Sequence, residues 1–137
     1  MQQLNVSDLL RALQIVERNV SVTLMYSGLR IPQFRLLELL DECGQGTVTE
    51  VSNQLNITRA TASVQINELI RSGIVAVVEN ESDRRSFHVA MTELGINKLN
   101  VARNDLAVMQ QELNRHYSGE MISVLNAFAA ETLKGRH

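Results

Sequence analysis

The sequence predicts a mainly α-helical fold that contains one small β-hairpin. Over most of the 137 residues, apolar side chains recur at steps of three and four, which is the spacing of one face of a helix. Between residues 74 and 91 the period changes to two in the segments "IVAVVE" and "SFHVAM", which are rich in β-branched and aromatic residues. The polar string "NESDRR" separates these segments and predicts the tip of a hairpin.

Two helices are predicted before residue 45. The first has its apolar face at Leu9, Leu13, Val16, Val20 and Leu24. The second is predicted in "IPQFRLLELLDECG", because proline is tolerated in the first turn of a helix and glycine commonly follows the last turn. Since apolar residues lie on most sides of this second helix, we expect it to be central.

Two short helices in close succession are predicted in "GTVTEVSNQLNITRATASVQINELIRSGIV". Thr49 is the expected cap of the first helix, and Thr58 is the expected cap of the second. Asn56 lies between them, where asparagine tolerates the left-handed backbone of a tight turn. The inward face of the second helix is predicted at Ala62, Ile66 and Leu69. Helices joined by so short a turn cross at a large angle and form a helix-turn-helix.

The hairpin follows this unit directly, and the combination is a winged helix. Phe87, Val89 and Met91 share one face of the second strand, and we expect that face to cover the helices. Thr92 is the expected cap of a long helix, and Ser118 is the expected start of the last one.

The composition predicts a soluble, cytoplasmic protein that forms one structural unit. A length of 137 residues suits one domain, and 45% hydrophobic with 20% charged residues is ordinary for a globular chain. No apolar run approaches the roughly 20 residues of a membrane span. The N-terminal sequence lacks the basic, apolar and small-residue pattern of a secretory signal, so a cytoplasmic location is expected.

The sequence predicts neither an enzyme nor a protein that holds a metal or a cofactor. Its one cysteine, Cys43, and its three histidines have no zinc-binding spacing. The chain contains no G-x-S-x-G motif and no phosphate-binding glycine loop. Two interpretations of Cys43 remain, a redox-sensing thiol and an ordinary surface or packing residue. Its place beside Asp41 and Glu42 favours the second.

The chain resembles the MarR-type transcriptional regulators over nearly its whole length. The resemblance rests on "LRIPQFRLLELL", on the helix-turn-helix sequence, on "SDRRSFHVAMTELG" in the wing and on "SGEMISVLNAF" near the C-terminus. Its most specific part is a wing signature, D-x-R followed by a strand and L-T-x-x-G. Here the signature reads Asp83, Arg84, Arg85 and "MTELG", with Met91 in the place of the usual leucine.

The resemblance implies a homodimeric transcriptional regulator, a repressor that leaves its operator when a small ligand binds. Residues 31–94 would form the DNA-binding winged helix, and residues 1–30 and 95–137 would supply the dimerisation helices. The apolar faces of the terminal helices favour the same pairing, since one small winged helix offers too few partners to cover them. A dimer places two recognition helices roughly 34 Å apart, about one duplex turn, which suits a pseudo-palindromic site on double-stranded DNA.

The resemblance also implies a small amphipathic or phenolic effector, bound between the dimerisation helices and the winged helix. Candidate residues for such a site are Arg11, Arg18 and Arg30 with Tyr26, or His116 with Tyr117. The alternative for each is an ordinary solvated or interfacial residue, and the sequence names no ligand.

The second helix of the helix-turn-helix is the expected recognition helix, and its outward and N-terminal positions are the candidate DNA contacts. They are Thr58, Arg59, Thr61, Ser63, Val64, Asn67 and Arg71. For Thr58 the role of helix cap is sufficient by itself. The alternative for the others is an ordinary solvated helix face.

The hairpin tip contributes two further candidates, Arg84 and Arg85. The resemblance implies that Arg85 pairs with Asp83 and braces the wing, while Arg84 is the freer DNA contact. The alternative is a local ion pair at an exposed hairpin tip, which contributes under about 1 kcal/mol.

Two features favour a second function, that of a winged-helix protein-interaction module or anti-regulator with weak or no DNA binding. Val64 takes a position where the relatives commonly carry arginine or another polar residue, and it brings no charge to a phosphate. Residues 31–94 hold five basic and nine acidic side chains, a balance of −4, whereas most DNA-binding domains are basic. If the chain binds DNA, its non-specific binding is expected to be weak.

Overall fold

The computed structural model describes residues 3, 5–79, 87–116 and 119–134, and within them it contains six α-helices and three strands. In chain order these are α1 (Val6–Leu24), α2 (Ile31–Cys43), β1 (Gly46–Thr47), α3 (Val48–Leu55), α4 (Arg59–Arg71), β2 (Val75–Val78), β3 (His88–Met91), α5 (Glu93–His116) and α6 (Gly119–Lys134). The predicted fold class, mainly α-helical with a small β wing, is confirmed. The hairpin tip at residues 80–86 and the predicted helix start at Ser118 lie outside the described residues.

The chain divides into two compact units, Met1–Asp105 and Leu106–His137, and the boundary falls within α5. The first unit contains α1 to α4, the sheet and the first half of α5. The second contains the remainder of α5 together with α6, on which Val124 and Leu125 are exposed. Among the described residues, no helix is both long enough and apolar enough to cross a membrane.

Helix α2 is central in the first unit, as predicted. Its Leu36, Leu37 and Leu40 side chains are at most 1% exposed. Burial of each contributes about 1.5–3 kcal/mol, because its apolar surface leaves water. The predicted inward face of α4 is also buried, and the other fully buried side chains come from α1, α3, the sheet and α5: Leu24, Val51, Val75, Val89, Leu99 and Ala102.

The turn between α3 and α4 has the predicted geometry. Asn56 follows α3 with φ 55° and ψ 48°, the left-handed conformation. The cap of α4 is Thr58, as predicted. The predicted cap of α3 was wrong, because Thr49 already lies in the first turn; the cap is Thr47, whose side chain accepts a hydrogen bond from the Glu50 N–H at 3.1 Å.

The sheet has the order β1–β3–β2, and both pairings are antiparallel. Val89 in the central strand pairs with Gly46 on one side and with Val77 on the other. The strand β1 was not predicted, because a strand of two residues is too short to display a period of two. Along the chain, the helix-turn-helix therefore lies between the two outer strands of one sheet.

The predicted inward face of β3 was correct for Val89 and wrong for Phe87. Val89 is fully buried, whereas Phe87 is 45% exposed. Phe87 precedes His88, the first paired residue of β3, so neither neighbouring strand covers it. His88 lies on the opposite face of β3 from Val89, because side chains alternate along a strand, and it is also buried.

The start of α5 lies against the end of the helix-turn-helix. Thr92 caps α5, as predicted, since its Oγ1 accepts a hydrogen bond from the Gly95 N–H at 3.2 Å. Gly95 is buried, and a Cβ atom at this position would collide with the carbonyl oxygen of Ile74. This close approach explains the glycine of the "MTELG" segment, because any side chain would push α5 away from β2.

Candidate nucleic-acid interface

The surface of α4 opposite its buried face is open to solvent. Ala60, Val64, Asn67 and Arg71 recur at steps of three and four on this outward face, and all four are exposed. Val64 is 58% exposed although it is apolar. Because Ala62, Ile66 and Leu69 anchor the other side of the helix, the outward residues are held in a fixed relation to the core.

Two threonine hydroxyls organise the N-terminus of α4. Thr58 Oγ1 accepts a hydrogen bond from the Thr61 N–H at 3.1 Å and donates one to Thr61 Oγ1 at 2.9 Å. Thr58 therefore serves as the cap, and the Thr61 hydroxyl keeps its own proton to donate outward. Arg59 is exposed beside them, and Ser63 is half-buried. A helix N-terminus with exposed donors of this kind suits a phosphate oxygen.

The two cations of α4, Arg59 and Arg71, are its first and last residues. A rise of 1.5 Å per residue separates their Cα atoms by about 18 Å along the helix axis. Within the described part of the chain, neither forms a salt bridge with an acidic side chain. Both charges are therefore available to an external anion.

The structure brings Arg30 to α4, a placement that the sequence did not suggest. Arg30 precedes α2, and its Nη2 lies 2.7 Å from Glu68 Oε2 on α4. The two residues border an open cleft of about 430 Å³ between the N-terminus of α2 and α4. The cleft is lined by Arg30, Pro32, Gln33, Ala60, Thr61, Val64, Gln65 and Glu68. No local pattern signals a contact between residues 38 positions apart.

Two further acidic side chains of the negatively charged 31–94 segment are bound to α5. Arg103 Nη1 lies 2.8 Å from Asp41 Oδ2, and Arg103 Nη2 lies 3.8 Å from Glu38 Oε2. These two carboxylates belong to α2, and the single positive charge of Arg103, which lies outside the segment, offsets one of their two negative charges. The formal balance of residues 31–94 therefore overstates the negative charge of this part of the molecule.

The candidate residues of the wing, Asp83, Arg84 and Arg85, lie outside the described residues. The division of roles between the two arginines stays a prediction. Within the described ranges, no group of three or more His, Cys, Asp and Glu side chains is arranged to hold a metal ion.

The effector candidates do not form one cluster in the described structure. Arg11 lies 3.6 Å from Asp8 on the exposed side of α1, and Arg18 is also exposed. Tyr26 lines a cleft of about 220 Å³ together with Ser27, Asn97, Lys98 and Val101. His116 is exposed at the end of α5, Tyr117 lies outside the described residues, and Cys43 is exposed at the end of α2.

Residues 29–87, from just before α2 to just before β3, match the model of the MarR family. This region of the chain is similar to the MarR family. The match contains the helix-turn-helix, and the predicted resemblance is confirmed there. Sequence comparison with curated proteins finds no significant match.

Solved structures of transcriptional regulators, among them MarR and a MarR-family protein, share the fold over nearly the whole chain. A mutant MarR from Escherichia coli complexed with operator DNA is 18% identical, with a TM-score of 0.80 and 93% of each chain covered. The regulator MosR of Mycobacterium tuberculosis in complex with DNA is 19% identical, with a TM-score of 0.80 and 98% of this chain and 100% of MosR covered. A MarR family transcriptional regulator from Streptomyces coelicolor is 22% identical, with a TM-score of 0.76 and 95% and 91% covered. The fold described above is therefore that of MarR-family regulators.

Proposed function

We propose that this chain is a DNA-binding transcriptional regulator, a homodimeric repressor that occupies a pseudo-palindromic operator and is released by a small ligand. The observation that carries the proposal is the outward face of α4. This face is exposed, the two cations of α4 have no salt-bridge partner among the described residues, and the one acidic residue of α4 is paired with Arg30. Two proteins of the same fold have been solved with DNA.

The proposed DNA contacts are the cap residue Thr58 and the α4 residues Arg59, Thr61, Ser63, Val64, Asn67 and Arg71, with Arg84 and Arg85 in the wing. Arg59 and the N-terminal hydroxyls suit phosphates, and Asn67 suits a base edge. Val64 suits the methyl group of a thymine, an apolar contact that discriminates between bases without adding charge.

Dimerisation is proposed through residues 1–30 and 95–137. Helix α1 exposes an unusual number of apolar side chains for a surface helix, and several are more than half exposed in the single chain: Val6, Leu10, Leu13, Ile15, Val16 and Val22. An apolar surface of this kind is typical of an interface, since exposure to water is unfavourable. Sedimentation of the purified protein at micromolar concentration is expected to give twice the mass of 15.3 kDa.

A salt titration tests DNA binding directly. With four arginines from each subunit, at most about eight phosphates are neutralised, so the log–log plot of affinity against salt should have a slope of about −5 to −8. The measurement uses fluorescence anisotropy with the duplex upstream of the protein's own coding sequence and with a random duplex. Absence of binding to either duplex at low salt would contradict the proposal.

The effector is proposed to be a small phenolic anion. The cleft at Tyr26 supports this class, because it combines an aromatic side chain with the Lys98 ammonium group. Release of the upstream duplex by 4-hydroxybenzoate, but not by an equal concentration of chloride, is the expected result.

A second candidate function is recognition of another protein by the same face. Val64 favours it, because an exposed apolar residue at the centre of α4 suits an apolar protein surface as well as a thymine methyl. The salt titration separates the two functions, since only DNA binding produces the steep slope.

A further inference from the structure

Glu68 lies among the proposed DNA contacts of α4. Val64, Glu68 and Arg71 occupy positions i, i+4 and i+7, so they are neighbours along one strip of the helix surface. Glu68 is the one acidic residue of α4. A carboxylate in this strip would lie close to any phosphate bound by Arg71 and would repel it, since about 10 Å of salt solution is needed to screen such an interaction.

We propose that the Glu68 carboxylate weakens DNA binding by repelling phosphates and that the positive charge of Arg30 offsets this repulsion. The inference rests on the proposed function, because it concerns the same face of α4. It adds a residue from the start of α2 to that face, and it makes the affinity for DNA depend on how Arg30 is shared between Glu68 and a phosphate.

The geometry of the pair supports this sharing. Arg30 Nη2 and Glu68 Oε2 are 2.7 Å apart, but the Arg30 side chain is 70% exposed and the Glu68 side chain is 39% exposed. An ion pair so open to water contributes little to folding, and its arginine is able to turn toward another anion. If Arg30 turns toward a phosphate, Glu68 is left uncompensated beside the same duplex. The positive charge of Arg30 is therefore offset by the negative charge of Glu68, and the pair adds little net attraction for DNA.

Removal of the Glu68 carboxylate should strengthen DNA binding. Glu68→Gln keeps the size of the side chain and frees Arg30, so the variant is expected to bind the upstream duplex about three- to tenfold more tightly. Its log–log salt slope should steepen by roughly 0.9 for each subunit, because each Arg30 then neutralises one more phosphate.

Removal of the cation should have the opposite effect. Arg30→Gln leaves Glu68 unpaired and is expected to weaken binding by about three- to tenfold. The double variant is expected to return to nearly the affinity of the unmodified protein. Arg30→Lys keeps the charge and should bind as the unmodified protein does, which separates the charge from the shape of the side chain.

A matched control is available in Glu38→Gln. Glu38 is also paired with an arginine, Arg103, and is 42% exposed, but the pair joins α2 to α5 and lies outside the α4 cleft. The control makes the same change of formal charge and should alter the dissociation constant by less than about twofold. Circular dichroism and urea unfolding establish that each variant is folded.

The DNA affinities and salt slopes of these variants test whether Glu68 weakens binding. Tighter binding and a steeper slope with Glu68→Gln, without either change in Glu38→Gln, would support it. If Glu68→Gln binds DNA with the same affinity as the unmodified protein, the inference is overturned while the proposed function stands. The same holds if Glu68→Gln and Glu38→Gln increase the affinity equally. Failure of the unmodified protein and of every variant to bind any duplex at low salt would overturn the proposed function and the inference together.

Discussion

Thr92 Oγ1 lies 2.6 Å from the carbonyl oxygen of Gly73 and 3.0 Å from that of Ile74. The same oxygen accepts the Gly95 N–H, and the Thr92 N–H donates to the Ile74 carbonyl at 3.0 Å. One threonine therefore caps α5 and joins it to the backbone just after the end of α4. The C-terminal end of α4 is held by a residue of the wing's exit.

Replacement of Thr92 should loosen this junction. Thr92→Val preserves the shape of the side chain but removes the hydroxyl group, so the free energy of unfolding is expected to fall by about 1–2 kcal/mol. Urea unfolding at one fixed protein concentration measures the change. Thr92→Ser retains the hydroxyl group and should lose less than half as much; equal midpoints for the valine variant and the unmodified protein would contradict the assignment.

Gly95 is expected to tolerate no side chain. In Gly95→Ala the new Cβ meets the Ile74 carbonyl oxygen, so α5 must shift, at a cost of about 1–3 kcal/mol in the free energy of unfolding. Gly119→Ala is the matched control, because nothing lies within 4 Å of a Cβ atom at that helical position. Thermal unfolding should separate the two variants, and similar unfolding temperatures would refute the predicted collision.

Thr58→Ala should destabilise the recognition helix. The variant loses the acceptor for the Thr61 N–H, which is worth about 1 kcal/mol at a helix N-terminus. DNA affinity is expected to fall as well, because α4 frays at the end that carries Arg59. Thr58→Ser should restore both unfolding midpoint and affinity. A serine variant with normal stability but weakened binding would indicate that the methyl group of Thr58 also contributes to the contact with DNA.

The two wing arginines are expected to differ. Arg84→Ala should lower DNA affinity and reduce the salt slope by roughly 0.9 for each subunit, with the fold intact. Arg85→Ala should also lower the unfolding midpoint, because Arg85 is predicted to brace Asp83. Salt titrations and urea unfolding of both variants provide the comparison; equal, purely electrostatic losses would remove the distinction.

Local features of the fold were predictable because neighbouring residues determine them. The inward face of α4, the cap at Thr58 and the left-handed turn at Asn56 each follow from side-chain chemistry within a few positions. The glycine of "MTELG" was recognised as part of a motif, but its cause, the approach of Ile74, became apparent only in three dimensions.

Long-range contacts were not predictable in the same way. The strand β1 consists of two residues that pair with β3 across the whole helix-turn-helix. The exposure of Phe87 depends on where that pairing ends. Arg30, a sequence-based candidate for the effector site, instead reaches Glu68. The packing of α2 against α4 brings the two residues together, and no sequence pattern signals that contact. Part of the candidate interface therefore depends on tertiary structure.

The pairing of Gly46 with Val89 joins the two ends of a long chain segment that contains α3, α4 and β2. Closing a long segment lowers the conformational entropy of the chain before the strand contacts add stability. We therefore expect the sheet to form late in folding, after α2, α3 and α4 have packed. Partial unfolding should run in reverse and begin at the sheet. A molecule that has opened in this way would keep its helices, but the C-terminal end of α4 would no longer be held in place. The lifetime of the sheet would therefore limit how long α4 stays in position.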